Sequence, residues 1–227
     1  MRVAVVVFPG TNCERDVVRA LTALGGDAEL VWHRRSDLSD FDGVVLPGGF
    51  AHGDYLRTGA IARFSPVMAE VGRMAAEGRP VLGICNGFQV LCEAALLPGA
   101  LIANRDLAFI CRFVETEVTD TGTILTRAAA LGQRIRIPLN SYEGNWVDPT
   151  ASGRIVLRYV DNPNGSQQSA AAVANAEGNV VGVMPHPERG TDELLGSTDG
   201  LVLLEGFLHS LVPARRQAPC RHIDNWG

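Results

Sequence analysis

The chain has 227 residues, of which 46% are hydrophobic and 20% charged, a composition typical of a folded globular protein. Its formal net charge of −5 disfavours a nucleic-acid partner, because binding to phosphates needs a basic surface. All 20 residues counted as lysine or arginine are arginine. The chain therefore cannot itself supply the lysine of a Schiff-base enzyme or of a Walker-type phosphate loop.

The first half of the chain is predicted to alternate between buried strands and helices. Strands are expected at residues 3–8, 28–32, 43–46 and 80–84. One helix follows the first strand, and others are expected at about residues 60–77 and 87–96. This alternation predicts a mostly parallel sheet with helices on both faces.

The second half follows a different pattern, with short strands separated by turns rich in glycine, asparagine and aspartate. These additional strands are expected at residues 109–118, 134–139, 155–160, 171–174 and 180–184. A last apolar helix is expected at about residues 200–211. We therefore predict one α/β domain over residues 1–213, followed by a polar tail at 214–227.

The cysteines are scattered, odd in number and without the paired spacing of zinc ligands. There are five: Cys13, Cys85, Cys92, Cys111 and Cys220. The apolar run near the start is too short for a membrane span and lacks the cleavage site of a signal peptide. These features predict a cytoplasmic protein with reduced thiols, no bound metal and no membrane partner.

Cys85 is the strongest candidate for a nucleophile. It lies between a predicted strand and a predicted helix, with Gly83 and Gly87 two residues to either side. A sharp strand-to-helix turn needs small neighbours, and a helix N-terminus favours a thiolate. Cys92 is better explained by core packing, and Cys13, which also begins a helix, is the one competing reactive thiol.

His186 and Glu188 are candidates for the base and for the group that orients it. They follow the last predicted strand, and Pro185 and Pro187 are expected to hold the segment extended. In extended chain, residues two apart point the same way, so Glu188 can hold the imidazole while its other nitrogen faces Cys85.

Gly48 and Gly49 follow the third predicted strand and leave backbone N–H groups unshielded. The N–H groups of Gly49 and Asn86 are candidates for an oxyanion hole. Together with a cysteine, a histidine and a glutamate, such a hole indicates acyl transfer to a thiol followed by hydrolysis. These residues alone do not identify the acyl group.

The chain resembles class I glutamine amidotransferases in two segments, Gly-Ile-Cys-Asn-Gly-Phe-Gln at 83–89 and His-Pro-Glu at 186–188. These enzymes release ammonia from glutamine through a γ-glutamyl thioester. Segments 8–16, 46–57 and 161–166 narrow the match. They resemble the glutaminase subunits of phosphoribosylformylglycinamidine synthase, an enzyme of purine biosynthesis.

The resemblance implies a flavodoxin-like fold and three catalytic residues: Cys85, His186 and Glu188. It also implies that Gln89 helps to bind glutamine and that Gly48, Gly49 and Asn86 serve the substrate and its oxyanion. It further implies that a large synthetase subunit receives the ammonia and that a small accessory subunit completes the complex. No cofactor is expected on this chain, whereas ATP and magnesium are expected on the synthetase.

The sequence departs from this family pattern in one region. The family usually has His-Gly-Glu-Gly after an Ile-Pro strand, but residues 140–146 read Asn-Ser-Tyr-Glu-Gly-Asn-Trp. The stretch at residues 147–153 also looks shorter than is usual in the family, so docking on a synthetase could differ. The tail, with Cys220 and His222, matches no pattern, and its Cys-Arg-His is too short to indicate a metal site.

Three other functions remain open at this point. Another group of hydrolases with an elbow cysteine places histidine directly after it, but here Asn86 follows. A glutaminase that serves a different synthetase is disfavoured by segments 12–16 and 53–57. A non-catalytic subunit that supports assembly is disfavoured by the complete triad, although the altered segment leaves it open.

Overall fold

The computed structural model describes residues 1–211, which contain eleven strands and four α-helices. The strands are β1 (Arg2–Val7), β2 (Asp27–Trp32), β3 (Gly43–Leu46), β4 (Val81–Ile84), β5 (Ala100–Ile102), β6 (Ile110–Val118), β7 (Arg134–Ser141), β8 (Asn145–Val147), β9 (Arg154–Tyr159), β10 (Ala170–Ala174) and β11 (Val180–Val183). The helices are α1 (Glu14–Ala23), α2 (Val67–Ala76), α3 (Asn86–Glu93) and α4 (Gly200–Ser210). None of these helices is long and apolar enough to cross a lipid bilayer.

Nine strands form one sheet in the order β2-β1-β3-β4-β11-β10-β9-β6-β7. The first five strands in this order pair in parallel, and β3, β4 and β11 are completely buried. Parallel strands have their carboxyl ends at one edge of the sheet, where open α/β folds bind ligands. The segments that follow β1, β3, β4 and β11 therefore meet at that edge.

The other half of the sheet is antiparallel, from β11 through β10, β9 and β6 to β7. This region contains the short strands predicted for the second half of the chain. A separate two-stranded sheet, in which β5 pairs with β8, was not predicted, because each of its strands has only three residues. The predicted flavodoxin-like α/β fold with additional strands is confirmed.

The helix predicted at residues 60–77 is shorter than expected. A 3-10 turn spans Ala62–Phe64, Ser65 is extended, and α2 begins only after Pro66. Proline disfavours helical backbone at the preceding residue, which explains the break. The tail predicted at 214–227 lies outside the described residues, as do Cys220 and His222.

Candidate active site

The backbone at Cys85 makes a sharp turn between β4 and α3. Cys85 has φ 50° and ψ −104°, a strained conformation for a residue with a side chain. A Cβ atom at Gly87 would overlap the carbonyl oxygen of Leu46, and one at Gly83 would lie 2.7 Å from the carbonyl oxygen of Gly87. The two glycines predicted to flank a nucleophile turn are therefore required by close backbone packing.

Cys85 is placed for reaction directly before α3, on the turn that presents a nucleophile between a strand and a helix. It is 7% exposed, and its Sγ atom lies 3.5 Å from the carbonyl oxygen of Asn140. Cys92, by contrast, packs with its Sγ atom 3.7 Å from the carbonyl oxygen of Pro98. Burial raises the pKa of the Cys92 thiol well above its usual range, so Cys92 is a poor nucleophile, as predicted.

His186 and Glu188 form a buried pair directly after β11. Nδ1 of His186 lies 2.7 Å from Oε1 of Glu188, and their side chains are 2% and 0% exposed. The chain is extended at His186 but turns into a 3-10 helix at Pro187–Arg189. The expectation of extended chain throughout was therefore wrong after His186, although the predicted contact is formed.

The electrostatic environment of His186 favours its charged form. Burial alone would lower the pKa of the imidazole, but the charges of Glu188 and Cys85 outweigh this effect. The nearby thiols of Cys13 and Cys85 act in the same direction, and the pKa is raised well above its ordinary value. An imidazolium beside a thiolate is the ion pair that activates a cysteine nucleophile.

The predicted oxyanion loop lies against this pair. A Cβ atom at Gly48 would be 2.7 Å from Cε1 of His186 and 3.4 Å from Cβ of Cys85, so only glycine allows this approach. Gly49 has φ 147°, a conformation that favours glycine. Within residues 1–211, the backbone N–H groups of Gly49 and Asn86 donate to no acceptor. Both N–H groups therefore remain available to an oxyanion.

Asn86 and Gln89 link α3 to two neighbouring loops. The Nδ2 atom of Asn86 donates to Oε1 of Gln89 at 2.9 Å and to Oδ1 of Asp54 at 3.2 Å. Its Oδ1 atom accepts from the backbone N–H of Ala51 at 3.0 Å. Gln89 in turn donates to the carbonyl oxygen of Glu143 at 2.6 Å. This network holds the oxyanion loop on one side of Cys85 and the altered segment on the other.

The altered segment, which lacks the usual histidine, forms part of the pocket wall at residues 140–143. The Asn140 carbonyl oxygen accepts from the Cys85 thiol at 3.5 Å, and Oε2 of Glu143 accepts from Oγ1 of Thr58 at 2.6 Å. The segment was considered from the sequence only as a docking surface. Its contacts assign it a direct role in shaping the site.

A cavity of about 420 Å³ opens onto Cys85, a suitable size for a small amino-acid substrate. Its walls come from the loops after β1, β3 and β11, from the end of β7 and the loop after it, from the residue before β6 and from the start of α3. The cavity is lined by Asn12, Cys13, Gly49, Phe50, Asp54, Thr58, Cys85, Gln89, Phe109, Asn140, Ser141, Tyr142, Glu143, His186 and Arg189.

Two carboxylates of this cavity had no predicted role. Asp54 is half-buried, and burial raises its pKa to about 6; the hydrogen bond from Asn86 opposes this rise and the charge of Glu143 adds to it. Asp54 and Glu143 are 89 positions apart in the chain, so no local pattern could reveal that their charges interact. The only sequence feature that could have indicated these carboxylates was the polar loop after Gly49.

Arg189 was given no predicted role, and Cys13 was considered only as a competing reactive thiol. Nη2 of Arg189 donates to Sγ of Cys13 at 3.2 Å, and its Nε atom donates to Oδ2 of Asp16 at 3.2 Å. Cys13 is only 2% exposed. Its thiol donates to the side-chain oxygen of Asn12 at 3.1 Å, so the competing thiol is engaged by its neighbours.

A cysteine on a strand-to-helix turn, with a His-Glu pair and an oxyanion loop on an α/β sheet, defines a thiol-dependent acyl-transfer site. Residues 1–199 match the family described as the CobB/CobQ-like glutamine amidotransferase domain. The chain therefore belongs to this family.

Relatives within the family show a narrower similarity. The phosphoribosylformylglycinamidine synthase subunit PurQ of Rubrobacter xylanophilus is 53% identical over 215 residues, which cover 92% of this chain and 98% of that protein. The subunit of the same name from Rhodococcus jostii is 51% identical over 222 residues, or 94% and 99% of the two chains. The predicted assignment to a glutaminase subunit of this synthase is confirmed.

Solved structures agree with this result. A chain in the structure of PurLQS from Thermotoga maritima superposes with a TM-score of 0.89 at 42% identity, covering 92% of this chain and 97% of that one. A glutamine amidotransferase from the same organism, at 17% identity and a TM-score of 0.57, is similar in fold.

Proposed function

We propose that Cys85, His186 and Glu188 hydrolyse glutamine and that the ammonia passes to a synthetase subunit. The observation that carries the proposal is the buried His186–Glu188 pair beside the strained Cys85 turn. In the first step, the Cys85 thiolate attacks the γ-carbonyl carbon of glutamine. Its oxygen becomes an oxyanion, which the N–H groups of Gly49 and Asn86 stabilise.

The tetrahedral intermediate then collapses to a γ-glutamyl thioester on Cys85. His186 gives its proton to the leaving nitrogen, so that ammonia departs as a neutral molecule. The neutral imidazole next takes a proton from water, which attacks the thioester carbonyl. Glutamate leaves and the Cys85 thiolate is regenerated, with Glu188 holding the imidazole in one orientation throughout.

The substrate also carries an α-ammonium group, for which the pocket offers two carboxylates. We assign its binding to Asp54 and Glu143, whose charges interact across the wall that contains Gln89. Two like charges near each other are relieved by a bound cation, so an ammonium group there is favoured. Gln89 is buried in the same wall. Its side chain makes a polar contact with another part of the substrate.

The proposed partners are a large synthetase subunit and a small accessory subunit. Glutaminase chemistry uses Cys, His and Glu, and the absence of lysine agrees with a division of labour in which ATP and magnesium act on the synthetase. We place the complex in the cytoplasm, in agreement with the free thiols of Cys13, Cys85, Cys92 and Cys111. No cofactor is assigned to this chain for the reaction.

The experiment that tests this function separates the two nitrogen sources. In the complex purified from its native cell, Cys85→Ala should abolish glutamine-dependent synthesis of the amidine and leave ammonia-dependent synthesis intact. Cys111→Ala, which removes an exposed thiol, is the matched control and should retain both activities. Loss of both activities in Cys85→Ala would instead indicate a role in assembly.

A further inference from the structure

The part of the pocket wall that contains Glu143 is the short connection between β7 and β8, residues 141–144, which we call the wall turn. Glu143 is held there by two hydrogen bonds. Its backbone carbonyl oxygen accepts from Nε2 of Gln89 at 2.6 Å, and its Oε2 atom accepts from Oγ1 of Thr58 at 2.6 Å. A group that fixes the backbone of the wall turn therefore also fixes the position of the Glu143 carboxylate.

Asn104 binds the wall turn on both sides of Glu143. Its side chain is only 1% exposed. The Nδ2 atom of Asn104 donates to the carbonyl oxygen of Ser141 at 2.9 Å, and its Oδ1 atom accepts from the backbone N–H of Gly144 at 3.0 Å. The backbone N–H of Asn104 donates to the carbonyl oxygen of Tyr142 at 2.8 Å. One buried residue thus satisfies three backbone groups of the wall turn.

The small sheet of β5 and β8 brings Asn104 to this position. Ile102 in β5 lies opposite Asn145 in β8, so Asn104, two residues further along, comes beside the wall turn. The Nδ2 atom of Asn104 also donates to the carbonyl oxygen of Ala108 at 2.9 Å. Ala108 precedes Phe109, which lines the cavity. Asn104 therefore holds two parts of the cavity wall together.

A second asparagine, Asn164, holds the wall turn at Gly144. Asn164 is completely buried, and its Nδ2 atom donates to the carbonyl oxygen of Gly144 at 2.7 Å. The same carbonyl oxygen accepts from Oγ of Ser166 at 3.2 Å. A Cβ atom at Gly144 would lie 3.1 Å from Nδ2 of Asn164 and 3.3 Å from Oδ1 of Asn104. Asn164 and Ser166 belong to segment 161–166, which the proposed hydrolysis does not use.

These contacts oppose a repulsion within the pocket. The charges of Asp54 and Glu143 interact, and two neighbouring carboxylates repel each other. Asn104 and Asn164 are neutral, so they hold the wall turn in place without neutralising Glu143. A wall that is fixed before the substrate arrives reduces the ordering cost of binding.

We propose that Asn104, supported by Asn164, is a positioning residue for glutamine, because it fixes the wall turn where the Glu143 carboxylate meets the α-ammonium group. The inference rests on the proposed binding of that group by Asp54 and Glu143. Neither asparagine lines the cavity, so both act through Glu143 and affect binding more than the bond-breaking steps.

The first measurement is a double-mutant cycle on KM for glutamine, from ammonia release by the purified complex. Asn104→Ala and Glu143→Gln should each raise KM about tenfold and change kcat less than about twofold. The double variant should have the KM of Glu143→Gln, since Asn104 has no effect once the charge is gone. Multiplied effects in the double variant would show that Asn104 acts independently of Glu143 and would overturn the proposal.

Asn179→Ala is the matched control, because it removes a buried asparagine on the opposite edge of the sheet. Asn179 lies directly before β11 and is 7% exposed. Its Nδ2 atom donates to the carbonyl oxygens of Ala75 at 2.9 Å and Arg79 at 3.1 Å. Asn179→Ala and Asn104→Ala should both unfold at lower urea concentration, but only Asn104→Ala should raise KM. An equal rise in KM would assign the effect to general loss of stability and contradict a positioning role.

Asn164→Ala tests the same turn from its other contact and serves if Asn104→Ala does not fold. It should also raise KM for glutamine, and to a similar extent. If KM rose in Glu143→Gln but was unchanged in Asn104→Ala and Asn164→Ala, this inference alone would be wrong. An unchanged KM in Glu143→Gln would instead overturn the proposed ammonium contact, and this inference with it.

Discussion

Nδ1 of His186 lies 2.7 Å from Oε1 of Glu188, in a place where neither side chain is open to solvent. The carboxylate charge offsets the effect of burial and is the main reason why the pKa of the imidazole is raised. Because the two residues are only two positions apart, a short turn after β11 is sufficient to form this contact. The charge of His186, the general acid, therefore depends on a contact between residues that are close together in the sequence.

Glu188→Gln should keep the shape of this pair and remove its charge. The pKa of His186 should fall, because the first of the two charges that raise it is lost. We expect kcat for glutamine hydrolysis to decrease by about 10²–10⁴-fold, the range for general acid–base groups. Steady-state ammonia release across pH measures both effects. Glu117→Gln, at an exposed position on β6, is the control, and an unchanged kcat in Glu188→Gln would contradict the assignment.

Gly87→Ala should distort the nucleophile turn, because its Cβ atom would overlap the carbonyl oxygen of Leu46. We expect a loss of about 1–3 kcal/mol in the free energy of unfolding and a fall in glutaminase activity of about 10²-fold from displacement of Cys85. Urea unfolding and ammonia release are the measurements.

Gly72→Ala is the matched control for that substitution. Gly72 lies within α2 and a Cβ atom there would meet nothing within 4 Å. Alanine should therefore stabilise the helix by about 0.5–1 kcal/mol and leave hydrolysis unchanged. If both alanine variants behaved alike, steric packing at the turn could not be the reason for glycine at position 87.

Asp54→Asn should weaken glutamine binding. Loss of an ionic contact to the α-ammonium group is expected to raise KM about tenfold or more, with a smaller effect on kcat. Glutaramic acid, which is glutamine without the α-amino group, should bind the wild type weakly and lose little further in the variant. Asp27→Asn, on β2 at an exposed position, is the control. Equal losses for the two substrates would contradict a contact with the ammonium group.

The same carboxylate predicts how binding depends on pH. The pKa of Asp54 is raised to about 6, so the ionised form predominates above that value and the neutral form below it. Since the ionised form binds the ammonium group, KM for glutamine should rise as the pH falls through about 6. The test is the pH profile of KM, from which Asp54→Asn should remove this rise. A profile that is the same in both proteins would assign the titration to another group.

An electrophilic glutamine analogue should label Cys85. Cys85 lies at the start of α3 beside His186, whereas the Cys13 thiol is engaged by Asn12 and Arg189. Peptide mapping after partial reaction measures the site of labelling, and an excess of glutamine should prevent it. A label found on Cys13 would overturn the choice of nucleophile.

The sequence alone was sufficient for features that arise from short stretches of chain. The buried strand, glycine spacing and following helix predicted the turn at Cys85, and the three-residue span from His186 to Glu188 predicted their contact. The parallel strands were predictable because each is a short apolar run ending at a turn. Pro66 indicated the late start of α2, but the apolar pattern on both sides of it was typical of one continuous helix.

Tertiary structure decided which distant residues meet at the site. Asp54 and Glu143 are brought together by the loops after β3 and β7, and Cys13 reaches His186 because β1 and β11 end at the same edge of the sheet. Hydrophobic patterns specify which residues are buried and leave open which strands become neighbours. Strand order and loop packing, which satisfy backbone hydrogen bonds across the whole sheet, determined how these charges and thiols are arranged.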